Sequence, residues 1–142
     1  MAEVFKIEVK GVKELQATFG KLEKEFQDAL AEAVSQAAAV VEREAKINSG
    51  RGGAFPNRVT GNLMNSIKEL RQTVEPNRVT SVVGSDMVYA PRLEYGFSGT
   101  DRLGRHYNQR PRPFLRPALD ENEAQIQAAF EKSLREIISR YK

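Results

Sequence analysis

Apolar and charged residues alternate from Glu3 to Lys10, with Phe5, Ile7 and Val9 on one side and Lys6, Glu8 and Lys10 on the other. A period of two predicts a half-buried strand, which Gly11 ends. The period then changes. Leu15, Phe19, Leu22, Phe26, Leu30, Val34, Ala37 and Val41 recur at threes and fours, the spacing of one helical stripe. Unbroken to Ile47, such a helix would run roughly 50 Å at 1.5 Å per residue, so a break is expected near Gly20. Ala29, Ala31, Ala33 and Ala37 to Ala39 add helix propensity and let another backbone come close.

The pattern lapses over Asn48–Gly61, NSGRGGAFPNRVTG, where glycines and a proline predict a long exposed loop. Thr60 can cap a short turn carrying Leu63, Met64 and Ile67. Lys68–Val74 and Arg78–Gly84 flank Glu75-Pro76-Asn77, which is turn chemistry and predicts a hairpin. Val82 to Leu119 follows: VVGSDMVYAPRLEYGF, a polar loop from Phe97 to Arg110, then RPRPFLRPAL. Pro111, Pro113 and Pro117 fix their own φ and push Arg110, Arg112 and Arg116 toward extended geometry. Pro117 is expected at the first position of a last helix, with Asp120, Glu121 and Glu123 at the positive end of its dipole. The stripe of that helix is Leu119, Ile126, Phe130, Leu134, Ile137 and Tyr141.

These elements predict an α+β fold: a small antiparallel sheet of three or four strands with long helices packed on one face. Residues 1–142 are expected to form a single domain with mobile loops at about 48–61 and 97–110. No repeat or composition break marks a second domain.

Composition narrows the chemistry. There is no cysteine and one histidine, so disulfides, thiolate metal sites and histidine clusters are excluded. No cofactor or metal site is suggested. The N-terminus lacks a signal-peptide pattern and no apolar run reaches membrane-span length, so a cytoplasm-like compartment and no membrane are expected. Net charge is only +3, but Asn48–Arg116 holds 11 Lys+Arg, ten of them Arg, against 5 Asp+Glu. The guanidinium fork suits carboxylate and phosphate, which points to acidic protein surfaces or nucleic-acid backbone as partners.

Candidate sites are weighed on that basis. Arg51 and Arg58 among glycines suggest a phosphate cradle, but no Lys-Ser/Thr pair follows and helix rather than strand precedes. His106 lies beside Arg102, Arg105, Tyr107 and Arg110, and the nearby carboxylate, Asp101, stands between Gly99 and Gly104, so a general base would lack a rigid orienting group. Asp86 and Glu94 could form an acid/base pair, yet a glutamate beside so many arginines is expected to make an ion pair, with Arg112 or Arg116. Tyr89, Tyr95, Phe97, Tyr107 and Phe114 alternate with arginine, a combination that stacks on bases or anchors protein interfaces. Tyr89 and Phe114 are assigned to the core, Phe97 and Tyr107 to an interface.

Three features in order resemble the tail-component family of long-tailed, lambdoid-type bacteriophages, the neck, head-tail joining or tail-completion proteins. The first is a long N-terminal amphipathic helix, a Gly-rich loop, then Thr60-Gly61-Asn62-Leu63 with Ser66-Ile67. The second is Val83-Gly84 with Tyr89-Ala90 and Leu93-Glu94-Tyr95-Gly96. The third is Arg112-Pro113-Phe114-Leu115-Arg116-Pro117-Ala118-Leu119. The resemblance implies a non-enzymatic virion structural protein without cofactor or small-molecule substrate. It implies a homo-oligomeric ring, for which a hexamer is one candidate, that meets other neck or tail proteins in proximity to DNA. Arg51, Arg58, Phe97, Arg102, Arg105, His106, Tyr107 and Arg110 are then the interface candidates. Tyr89, Glu94, Gly96, Arg112, Pro113, Phe114, Arg116 and Pro117 form the structural motif. The alternative from another class is a nucleic-acid-binding module that sets the same arginines on phosphates.

Overall fold

The computed structural model describes residues 2–8, 23–56, 60–75 and 78–140, of which 2–8 and 23 are described by their backbone alone. The chain runs β1 (Ala2–Glu8), α1 (Glu23–Asn48), α2 (Asn62–Ser66), β2 (Lys68–Glu75), β3 (Arg78–Ser85) and α3 (Ala90–Tyr95). It continues with β4 (Phe97–Thr100), β5 (His106–Gln109), α4 (Leu115–Asp120) and α5 (Glu123–Ser139). The class is α+β. One antiparallel sheet has the order β1-β3-β2, and a second, of two strands, pairs β4 with β5.

The predicted β2–β3 hairpin pairs Glu75 with Arg78, its register slips once between Glu69 and Arg71, and the turn residues Pro76 and Asn77 lie outside the described residues. Its central strand β3 pairs on both edges and buries Val79, Ser81, Val82 and Val83. The helix α1 lies against β3 and β2, and α5 packs against α1. Being covered on two sides, α1 buries a stripe wider than one face: Phe26, Ala29, Leu30, Ala33, Val34, Ala37, Ala38 and Val41 are all at most 2% exposed. The alanines make that possible, because a small side chain brings the backbones of α1 and its neighbours close. Gly20, where a break was expected, and Arg58, Val9, Lys10 and Tyr141 lie outside the described residues.

Polar groups fix β2 onto α1. Gln72 Nε2 donates to the Ala31 carbonyl at 2.8 Å, to Ser35 Oγ at 3.0 Å and to Ser81 Oγ at 3.1 Å. Ser81 Oγ in turn donates to Glu69 Oε1 at 2.8 Å. Among the described residues no buried side-chain nitrogen or oxygen lacks a partner, as the cost of burying an unpaired polar group requires.

Three expectations need correction. Within Phe97–Arg110, expected as a loop, Phe97–Thr100 and His106–Gln109 pair as β4 and β5, so the segment is a β-hairpin arm. The last helix is divided: α4 begins at Leu115, a turn intervenes at Glu121-Asn122, and α5 starts at Glu123. Arg116 is therefore helical, and Pro117 sits third in α4 rather than first, a position whose N–H would have no intrahelical acceptor in any case. Tyr89 is not core; it is 41% exposed, whereas Phe114 is fully buried.

Because α1 is walled on two sides, enlarging a small residue there has no room to relax. Ala38→Leu is expected to lower unfolding stability by about 1–3 kcal/mol. A urea titration would show this as a lower midpoint at unchanged slope, and an unmoved midpoint would mean that the α1 flank is loosely packed.

Candidate functional site

The chain after β3 crosses α3, leaves the body as the β4–β5 arm, and returns along Arg110–Pro113 to α4. Two carboxylates organise this path. Glu94, 5% exposed, accepts the amides of Phe114 at 3.1 Å and Leu115 at 2.8 Å through Oε1, and that of Arg116 at 3.3 Å through Oε2. Residues 114–117 supply the first four amide positions of α4, and the fourth is Pro117, which has no donor. The carboxylate thus takes every amide that the helix start leaves unpaired, and its charge sits at the positive end of the helix.

The expected tie between the beginning and the end of this segment exists, but it runs through backbone amides; the Arg116 guanidinium reaches Asp120 at 3.2 Å. Glu94 is consequently occupied and does not form an acid/base pair with the exposed Asp86. Asn48, at the end of α1 and 3% exposed, completes the joint. Its Nδ2 donates to the Phe114 carbonyl at 3.2 Å and its Oδ1 accepts from Arg51 at 3.1 Å.

The arm starts at Gly96, whose φ of 80° lies in the left-handed region. A Cβ there would stand 2.8 Å from the Gln109 carbonyl oxygen, so only glycine lets the two ends of the arm come together. Nearby, the Arg112 amide donates to the Leu93 carbonyl at 2.6 Å. Phe97 pairs with Gln109 and Thr100 with His106. Arg92 lies 4.0 Å over the Phe97 ring, and the Tyr107 ring packs tilted against Phe97 with a 6.3 Å centroid separation. His106 Nδ1 is 3.0 Å from the Thr100 hydroxyl.

The turn of the arm is held by Asp101. Its Oδ1 accepts the Leu103 and Arg105 amides, both at 2.9 Å, and its Oδ2 accepts Arg105 Nε at 2.6 Å and the Tyr107 hydroxyl at 3.1 Å. Gly104, at φ 80°, donates back to the Asp101 carbonyl at 3.1 Å. Partial desolvation pushes the Asp101 carboxyl up, but the Arg105 amide and guanidinium, the Leu103 amide and the Tyr107 hydroxyl outweigh it and hold the group below its ordinary 3.8.

Of the interface candidates, the arm brings together Phe97, Arg102, Arg105, His106 and Tyr107. Arg105 is committed to Asp101, whereas Arg102 stands exposed. Arg51 folds back over the Phe55 ring at 5.0 Å and belongs to its own loop. That loop is internally bonded, with the Gly52 amide donating to the Pro56 carbonyl at 2.9 Å and the Phe55 amide to the Gly52 carbonyl at 3.0 Å. Between it and the returning segment lies a groove of about 1360 Å³ whose walls include Phe55, Leu63, Tyr89, Arg110, Pro113, Pro117 and Glu121. Three contributors escaped the sequence reading: Asp101 as the turn lock, Arg92 as the stacked cation and Asn48 as the joint. Asp101 followed by Gly104 was a legible signal, because Asp at the first and Gly at the fourth position mark a type I turn. Among the described residues no cluster of His, Asp and Glu could hold a metal, and no helix is long and apolar enough to cross a membrane.

Glu94→Ala would leave buried amides without an acceptor, each costing about 1–3 kcal/mol. Glu94→Gln keeps one acceptor oxygen and should lose less, so the order of denaturation midpoints is wild type, then Gln, then Ala. Equal midpoints for the two variants would refute the capping role. For Asp101 the folded-state value lies below the unfolded one, so its contribution is complete above the ordinary carboxylate value and is lost as pH falls through the depressed one. The Leu103 and Arg105 amide resonances should therefore titrate with a midpoint below 3.8 and be flat at higher pH.

Comparison with known proteins agrees with the first part of this architecture. The family model described as bacteriophage HK97-gp10, a tail component, matches residues 13–96. The match takes in α1, the glycine loop, α2, the β2–β3 hairpin and α3, and it ends at the root of the arm. It therefore carries the first two of the three features of the resemblance and stops before the proline-rich third. No curated protein and no solved structure matches. Since the match spans more than half of the 142 residues, the chain belongs to the HK97-gp10-like tail-component family of bacteriophages.

Proposed function

We propose that the chain is a structural subunit at the phage neck or in tail completion, assembling with neighbouring subunits through the β4–β5 arm. Membership of a tail-component family makes it a tail-related structural protein of the virion. The finer reading is supported above all by one observation: residues 102–110 are exposed, yet Asp101 and the β4–β5 ladder hold them in one shape. An exposed, preformed arm loses little conformational entropy when it docks, which is the advantage of preorganisation at an interface. It also presents an amphipathic ring, Tyr107 at 42% exposure, and an apolar side chain, Leu103 at 77%, together with Arg102 and Arg110.

Assembly accordingly rests on docking of a shaped arm rather than on ordering of a loose loop. Arg102 and Arg110 steer it toward carboxylates; Arg105 does not take part, because it is spent within the arm. A ring of copies, with a hexamer as one candidate, fits this reading, as does contact with other neck or tail proteins. The glycine loop contributes its wall of the groove, and Arg51 supports that loop from within.

In a phage deprived of this gene, the wild-type chain supplied in trans is expected to restore infectious particles. The Arg102→Glu, Arg110→Glu double variant should reduce their yield at least about tenfold. Arg105→Gln should act only through loss of arm order. Full complementation by the double variant would overturn the steering role. Loss of particles together with salt-sensitive DNA binding by the wild type, steep in log salt, would favour phosphate as the target of those arginines.

A further inference from the structure

The arm ends in a feature that the fold itself does not use. Leu103 is 77% exposed at the turn, the residue beside it, Arg102, has no ion-pair partner among the described residues, and Arg105 is neutralised by Asp101. An apolar side chain flanked by one uncompensated cation is poorly placed in water. The arm's own body cannot receive it. The antiparallel register sets Thr100 and His106 at the far end, on the order of 10 Å beyond the root at Phe97 and Gln109. The groove is lined by Asn108–Pro113, the root side, and by none of residues 101–105.

The groove offers what the tip lacks. Phe55, Leu63, Leu93 and the rings of Pro113 and Pro117 supply apolar walls, and the charged residues of the lining are Glu121, Arg110 and Arg112. Glu121 is exposed and unpaired among the described residues, and Glu123 lies two residues further at the start of α5. The apolar tip residue and the apolar walls thus match, Glu121 is the carboxylate of the lining that Arg102 can meet, and tip and groove occur on the same chain but are held apart within it.

The geometry points to insertion of the arm tip of one copy into the groove of a second copy, with Leu103 against the apolar walls and Arg102 directed to Glu121. Donor and acceptor surfaces differ, so the contact is heterologous and head-to-tail; it closes into a ring if the rotation allows and otherwise extends as a filament. This rests on the reading above and names the surface by which subunits meet.

The test uses the full chain and exposed positions, so that folding, checked by circular dichroism, is preserved. Light scattering across a concentration series should show self-association for the wild type. Leu103→Ser should abolish it over the same range. Arg102→Glu and Glu121→Arg should each raise the association Kd about tenfold, and the two together should bring it back toward the wild-type value, because the swapped pair restores opposite charge. A wild type that stays monomeric at every concentration and salt overturns the second copy as the occupant. An oligomer untouched by Leu103→Ser, or a double variant no better than the singles, overturns the arm-to-groove contact while leaving the structural-subunit reading intact. If instead the swap behaves as described but Leu103→Ser still restores full phage yield, the contact stands and that reading fails.

Discussion

The arrangement of this chain depends on one buried carboxylate. Glu94 accepts three consecutive backbone amides, those of Phe114, Leu115 and Arg116, at the point where α4 begins. Helix starts ordinarily rely on a side chain at the N-cap or on water, and here neither is at work: the N-cap is Phe114, with no side-chain cap, and it is fully buried. Without an acceptor from elsewhere, the amides would be orphaned in the core. The acceptor comes from α3, some twenty residues earlier, so satisfying the helix start also closes the whole excursion of the arm. Asn48 adds the carbonyl side of the same residue, since its amide donates to the Phe114 oxygen. Three elements, α1, α3 and α4, thereby meet on one buried phenylalanine.

Asp101 repeats the device on a smaller scale and at the surface. A carboxylate takes two amides, a guanidinium and a phenol, and so turns a polar stretch into a defined hairpin turn. The difference is burial. Glu94 acts where water cannot substitute, and its loss is felt as stability of the body. Asp101 acts where water competes, and its effect is on the shape of the arm and hence on what the arm can meet.

How much of this could be read from the sequence follows from the range of the interactions. The stripe from Phe26 to Val41 and the stripe of α5 were legible because helical periodicity is local and both are packed along their length. The β2–β3 hairpin was legible from its turn residues. The helical start at Leu115 was not, because the rule that a residue before proline avoids helix is also local, and at Arg116 it is overruled by a carboxylate far away in sequence. The arm was missed for a related reason: Gly99 and Gly104 read as mobility, whereas Gly104 supplies a left-handed turn position and Asp101 closes around it. The pairing expected of Glu94 was right in bringing the two ends of the segment together and wrong about the donor, since composition shows the guanidinium groups and does not show which amides a fold will leave unpaired.

The boundary of the family match gives these contacts a division of labour. It ends at residue 96, where the arm begins, yet the segment beyond it is fastened to the matched part: α4 and α5 pack on α1, and around the arm's two ends Glu94 holds the start of α4, Asn48 holds Phe114 and the Leu93 carbonyl takes the Arg112 amide. Both ends of the arm are thus clamped to the body while its far part, residues 102–107, is exposed. An excursion between two fixed points changes in length at small entropic cost, only about 0.6 kcal/mol for each doubling. Arm length and tip chemistry can then vary without disturbing the core, and the partner that the arm selects is set separately from the fold that presents it.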